Sequence, residues 1–102
     1  MANTFKNYTA LAVGTGATTA YTVPASTTAV MIGMTVANLA ATQITVTVTC
    51  AGATLIKTVP IPANSSLSVL DGKIILETGD TVVVTSNTAS SVDALISVLE
   101  QS

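Results

Sequence analysis

Cys50 is the one thiol of this chain, and the groups that would make it a nucleophile are missing. A catalytic cysteine or serine needs a base within hydrogen-bond reach, and with no His anywhere neither a Cys-His nor a Ser-His-Asp arrangement can form. A Ser-Lys pair is open by composition, but no Ser-x-x-Lys spacing occurs around Lys6, Lys57 or Lys73. Zinc requires Cys and His clusters that the sequence does not hold. Asp71, Glu77 and Asp80 are the acids nearest to a calcium set. They lack an Asp-x-Asp-x-Asp run, and calcium takes about six to eight oxygens. Turn formation is the better reading of both segments: Asp71-Gly72 has the form of a hairpin turn in which Gly supplies positive φ, and Glu77-Thr78-Gly79-Asp80 reads the same way. Gly14-Thr15-Gly16 has no third glycine, no following Lys and no helical pattern, so it is not a phosphate cradle. No catalytic residue, metal site or cofactor is expected.

The remaining residues with binding potential are aromatic. Phe5, Tyr8 and Tyr21 are the only three, and two of them fall in the first eight residues beside Asn3 and Lys6. Termini stay disordered unless tied down, so residues 1–8 are expected to form an arm that docks on the protein's own core, a neighbouring copy or another partner. Asn3, Phe5 and Tyr8 are its candidate partner contacts. Three aromatics without a Trp make a carbohydrate-stacking face a poor reading. Asn7-Tyr8-Thr9 and Asn64-Ser65-Ser66 match the glycosylation acceptor but indicate only surface loops. Pro60-Ile61-Pro62 is a stiff connection rather than a recognition ligand.

These residues must be positioned by strands. Ile44, Val46, Val48 and Cys50 alternate with Thr45, Thr47 and Thr49, the pattern of a half-buried antiparallel strand with Cys50 as a small buried hydrophobe. Further strands are predicted at Tyr8–Val13, Thr19–Val23, Thr28–Ala37, Thr54–Val59, Ser66–Leu70, Lys73–Glu77, Thr81–Ser86 and Val92–Leu99. The last also matches helical spacing, but the β character of the rest of the chain favours a strand. Gly, Pro, Asn or Asp segments separate them at about 8–12-residue intervals, which predicts a sandwich or barrel. Thr22-Val23-Pro24 and Thr58-Val59-Pro60 echo one another, as two strands that leave their sheet at a proline. The expected fold is all-β: a single antiparallel β-sandwich of jelly-roll type with about eight strands over residues 9–102. Its inner faces are expected to hold Val30, Ile32, Ile44, Val46, Val48, Leu55, Val69, Ile74, Leu76, Val82, Val84, Ile96 and Val98.

Composition narrows the class of function. The chain carries 19 Thr and 13 Val, is 49% hydrophobic and only 8% charged, with net charge -2. A domain of this mass exposes roughly 5,000 Å², and three Lys with five acids cannot cover it. Weak charge with apolar surface favours association, so a homo-oligomer is expected, a trimer first; the alternative is a Thr-coated monomer. Scattered lysines and the absence of Arg argue against nucleic acid and against a polybasic membrane site. The weakly polar run Ala29–Ala41 is too short to span a bilayer. No basic region followed by an apolar core marks a secretory signal at the N-terminus, and a lone Cys fits synthesis in the cytoplasm.

The segments AYTVPASTTAVMIGMTVAN, ITVTVTC, VPIPANSSLSVLDGKIILETGDTVVVTS and SVDALISVLE resemble small all-β virion accessory proteins of tailed bacteriophages. The resemblance covers nearly the whole chain, through turn and core signals rather than active-site motifs. It implies a non-enzymatic virion protein made in the bacterial host cytoplasm. A head decoration or cement protein bridging major capsid subunits is the first expectation. A neck, collar, tail or baseplate component, or a receptor-binding module, is the alternative.

Overall fold

The computed structural model describes residues 3–70 and 72–102. Nine strands follow in chain order: β1 (Asn3–Val13), β2 (Thr18–Thr22), β3 (Thr28–Asn38), β4 (Ile44–Cys50), β5 (Ala53–Ile61), β6 (Ser66–Ser68), β7 (Ile74–Leu76), β8 (Thr81–Ser86) and β9 (Val92–Gln101). Among the described residues there is no helix, hence none long and apolar enough to cross a membrane.

The strands form two antiparallel sheets. One runs β1-β9-β3-β6, with β7 also paired to β3; the other runs β2-β8-β4-β5. β6 and β7 pair with successive stretches of β3, at Thr35–Ala37 and Ala29–Met31. Counted as one interrupted strand, they complete the eight-strand jelly-roll order in two four-stranded sheets. The hairpin expected at Asp71-Gly72 is therefore absent: the chain there links two collinear strands on the same neighbour, and Asp71 itself lies outside the described residues. Gly72 has φ 137, a backbone open to glycine. Both proline echoes lie where the chain leaves the second sheet for the first, Pro24 after β2 and Pro60-Ile61-Pro62 at the end of β5. Proline costs nothing there because an edge or terminal position needs no ladder donor.

Period-two alternation fixes the core. Ile44, Val46, Val48 and Cys50 of β4, Val82 and Val84 of β8, and Val92, Ala94, Ile96 and Val98 of β9 are all buried. The inner-face assignment needs correction on β3, where Ala29, Met31, Met34 and Val36 point inward rather than Val30 and Ile32. A bulge between Met31 and Gly33 changes the phase in mid-strand, and a one-residue shift exchanges the faces. Leu55, Val69 and Ile74 only flank the core.

The segment expected as an arm is, from Asn3 onward, the first half of β1. It pairs with β9 without interruption from Asn3↔Gln101 to Ala10↔Ala94; Met1 and Ala2 lie outside the described residues. A bulge then places Ala12 at φ 52, where its N–H donates to Asp93 Oδ1 at 2.9 Å. Asn38, at the end of β3, ties two crossings together. Its Nδ2 donates to the carbonyls of Thr42, Ile61 and Pro62 at 2.9–3.1 Å, and its Oδ1 accepts from Ala40 N at 2.8 Å.

Candidate interaction surface

The three residues singled out from the sequence part company. On β1, alternate side chains face opposite sides of the sheet. Tyr8 turns inward and is half-buried; Asn3 and Phe5 face outward and are exposed. Tyr8 packs its ring 4.4 Å from that of Tyr21, which reaches across from β2 in the other sheet.

The hydroxyls of both rings converge on Glu100, the inward-facing residue at the end of β9. The Tyr21 hydroxyl donates to Glu100 Oε2 at 2.6 Å and the Tyr8 hydroxyl to the same oxygen at 2.9 Å. Lys6 Nζ stands 3.8 Å from Oε1. The carboxyl is 7% exposed and is held below the usual carboxylate range, first by the Tyr21 hydrogen bond, then by Tyr8 and Lys6, against the opposing effect of burial. Burial, followed by the same hydrogen bonds, pushes both phenols up. Both phenols occupy Oε2, and Oε1 faces the Lys6 ammonium, so every partner of this buried carboxylate belongs to the fold itself. The cluster is a clasp joining the two sheets at one end of the sandwich. The sequence carried a signal for it: Glu100 continues the buried phase Val92-Ala94-Ile96-Val98, and a buried charge must be paired.

The other chemistry-bearing residues stay apart. Cys50 is 4% exposed, and burial, then Asp80, pushes its thiol up. Among the described residues no three His, Cys, Asp or Glu side chains lie close enough to hold a metal ion. Glu77 and Asp80 serve their turn, closed by Asp80 N to Glu77 O and by Glu77 N to Asp80 Oδ2 around Gly79 at φ 87. A broad surface depression beside Asn38, Leu39, Asn64 and Ser65 is lined by no ionisable side chain.

What the fold does assemble is an apolar row. Register places Phe5 beside Leu99, Leu99 beside Val30, and Val30 beside Ile75, across four adjacent strands of the β1-β9-β3 sheet. All four face outward. Phe5 is 72% and Ile75 69% exposed. Ile32, pushed out by the β3 bulge, is exposed beside them. Towards the opposite end of the same face, Leu11 and Leu95 are also exposed, and with Thr9, Thr35 and Ala37 they line a hollow of ≈ 340 Å³. The outer face of the other sheet is different: Thr19, Thr22, Thr45, Thr47, Thr49, Thr54, Thr81 and Thr85 dominate it. Sequence reasoning missed the row because its members come from four segments that only the register brings together.

No family model matches the chain, and no curated protein matches it. Among solved structures it is similar to a chain of Bacillus endospore appendages, described as a novel family of disulfide-linked pili. The TM-score is 0.51 at 16% identity, covering 99% of this chain and 85% of the other. At that identity the likeness is one of fold: an all-β sandwich.

Proposed function

We propose that this chain is a non-enzymatic structural subunit that works by assembly, and that the assembly is the virion of a tailed bacteriophage, with the protein as a head decoration or cement subunit on major capsid protein. The observation that carries the structural role is the uncommitted apolar row Phe5–Leu99–Val30–Ile75, on a chain without His. Isolated exposed apolar residues are ordinary, but a contiguous set marks an interaction site. The mechanism is binding energy alone: contacts available only in the assembled shell stabilise that state by mass action. The sequence resemblance favours the virion.

The fold likeness to a pilus subunit favours a second reading, a subunit of a filament or appendage outside the cell. This chain could not be disulfide-linked in the same manner without unfolding locally, since its single thiol is buried. Quantitative protein composition of purified phage particles separates the readings. A copy number comparable to that of the major capsid protein supports head decoration, and that of a single ring supports a neck or tail position. Absence from particles, with recovery from a surface filament, overturns the virion reading.

A further inference from the structure

We infer that the outer face of the β1-β9-β3 sheet pairs with the same face of a second copy about a two-fold axis, seating each Phe5 in the other's hollow beside Leu11 and Leu95. The inference deepens the assembly reading above, and it replaces the trimer expected from composition with a closed pair.

The argument rests on how the face is laid out. Its middle row is Asn7–Ser97–Gly33 across β1, β9 and β3. The Phe5–Leu99–Val30 row lies on one side, and the Thr9–Leu95–Thr35 row with the apolar hollow on the other. An in-plane two-fold axis along the middle row lays each strand over its own counterpart in the opposite direction. Phe5, the most exposed large apolar side chain of the face, then stands over Thr9 and Leu11. Leu99 stands over Leu95, and Val30 stands over Thr35, with Ile32 close to the axis itself. Projecting side chains on one half thus oppose the recess on the other, which is the self-complementarity that an isologous contact requires.

Charge permits the approach. Exposed Lys73 and Glu77 bracket Ile75 at the β7 edge, and among the described residues Asp93 is the one ionisable side chain in the outward phase of β1, β9 and β3. It already accepts from Ala12 N, and the axis sets it over neutral Gln101 rather than over its own copy. The polar pair on the axis is also satisfied, Ser97 Oγ donating to Asn7 Oδ1 at 2.6 Å, so covering it strands no group. The area is sufficient as well. Four strands about 4.8 Å apart and roughly 30 Å long give ~600 Å² in plan before side-chain relief is counted, against about 800 Å² of accessible surface per partner in a standard interface. Face-to-face sheets already pack in this way inside the sandwich, about 10 Å apart.

Sedimentation equilibrium of the purified protein, with thermal unfolding followed in parallel, tests the pairing. The wild-type chain is expected to be a dimer. Phe5→Asp, at an exposed site, is expected to raise the dissociation constant by about 30-fold or more, as for an interfacial aromatic anchor. Its melting point extrapolated to low concentration should not change. Leu11→Asp, in the hollow, gives the same result independently, while Thr19→Asp on the threonine face leaves the dimer intact. In a Cys50→Ala background, a short bis-maleimide should join Asn7→Cys copies efficiently and Thr19→Cys copies poorly. A monomer at all concentrations, a trimer or larger species, or dissociation by Thr19→Asp with Phe5→Asp still paired would overturn the inference. None of these outcomes bears on the particle composition that tests the virion reading.

Discussion

Replacing Tyr21 by Phe deletes one oxygen and leaves the ring that packs 4.4 Å from Tyr8. The lost interaction is the 2.6 Å hydrogen bond from a buried phenol to the Glu100 carboxylate. Hydrogen bonds to a charged acceptor contribute about 1.5–3 kcal/mol, and the stranded acceptor bears the desolvation cost. Glu100 keeps Tyr8, whereas Lys6 is half exposed and adds little through a solvent-screened pair. The expected loss is therefore about 2 kcal/mol at pH 7, and about 10 °C in melting temperature for a domain of this size. The pH dependence carries the distinguishing sign. The Glu100 carboxyl titrates below its ordinary value in the folded protein. Its stabilisation is thus complete above the ordinary carboxylate value of 4.5 and is lost as pH falls through the depressed folded value. The penalty of Tyr21→Phe should shrink accordingly in acid. At the other end the raised phenols stabilise the fold below pH 10.0 and lose that contribution as pH rises beyond it. Differential scanning calorimetry of both proteins across this range is the assay. A Tyr21→Phe melting point within about 2 °C of wild type at pH 7 would refute the clasp as a stabilising element.

Asn38→Ala should cost about 3 kcal/mol in urea unfolding, because it strands the Ala40 N–H and three carbonyls that the amide now serves. Thr58→Gly should stabilise the protein by about 1 kcal/mol, since a β-branched residue is held there at φ 53 in the bulged edge strand β5; a loss of stability in the same assay would show that Thr58 packing outweighs its strain. Cys50 should react slowly with thiol reagents until the protein unfolds, and Cys50→Ala should cost on the order of 1 kcal/mol, because the thiol is buried and pushed up in pKa; rapid labelling of folded protein would place it on the other face.

Much of the architecture was readable from period-two alternation. Ile44–Cys50 shows it most plainly, because valines and isoleucine occupy one phase and threonines the other without a break. The alternation of β9 was readable too, although its helical spacing competed until the neighbouring strands were considered. On β3 the sequence misleads because both phases of Ala29-Val30-Met31-Ile32 are apolar, and hydrophobicity alone cannot choose between them. The bulge at Met31–Gly33 makes the choice, and Gly33 in mid-strand is the one sequence signal for it. The same limit applies at the surface. Phe5 was identifiable as an anchor from its rarity, but not Leu99, Val30 and Ile75 as its neighbours, since pairing registers are non-local. Tyr8 and Phe5 are close in sequence, yet an odd spacing on one strand sends the two to opposite faces.

Hydroxyl-radical footprinting of the assembled protein, compared with the dilute or Phe5→Asp form, tests most directly whether the protein works through this sheet face. Phe5, Leu11, Leu95 and Ile75 should be oxidised readily in the free chain and protected in the assembly, while Val83, which lies between Thr19 and Thr49 on the threonine face, keeps its reactivity. Protection of the threonine face with Phe5 and Leu11 still reactive would contradict it.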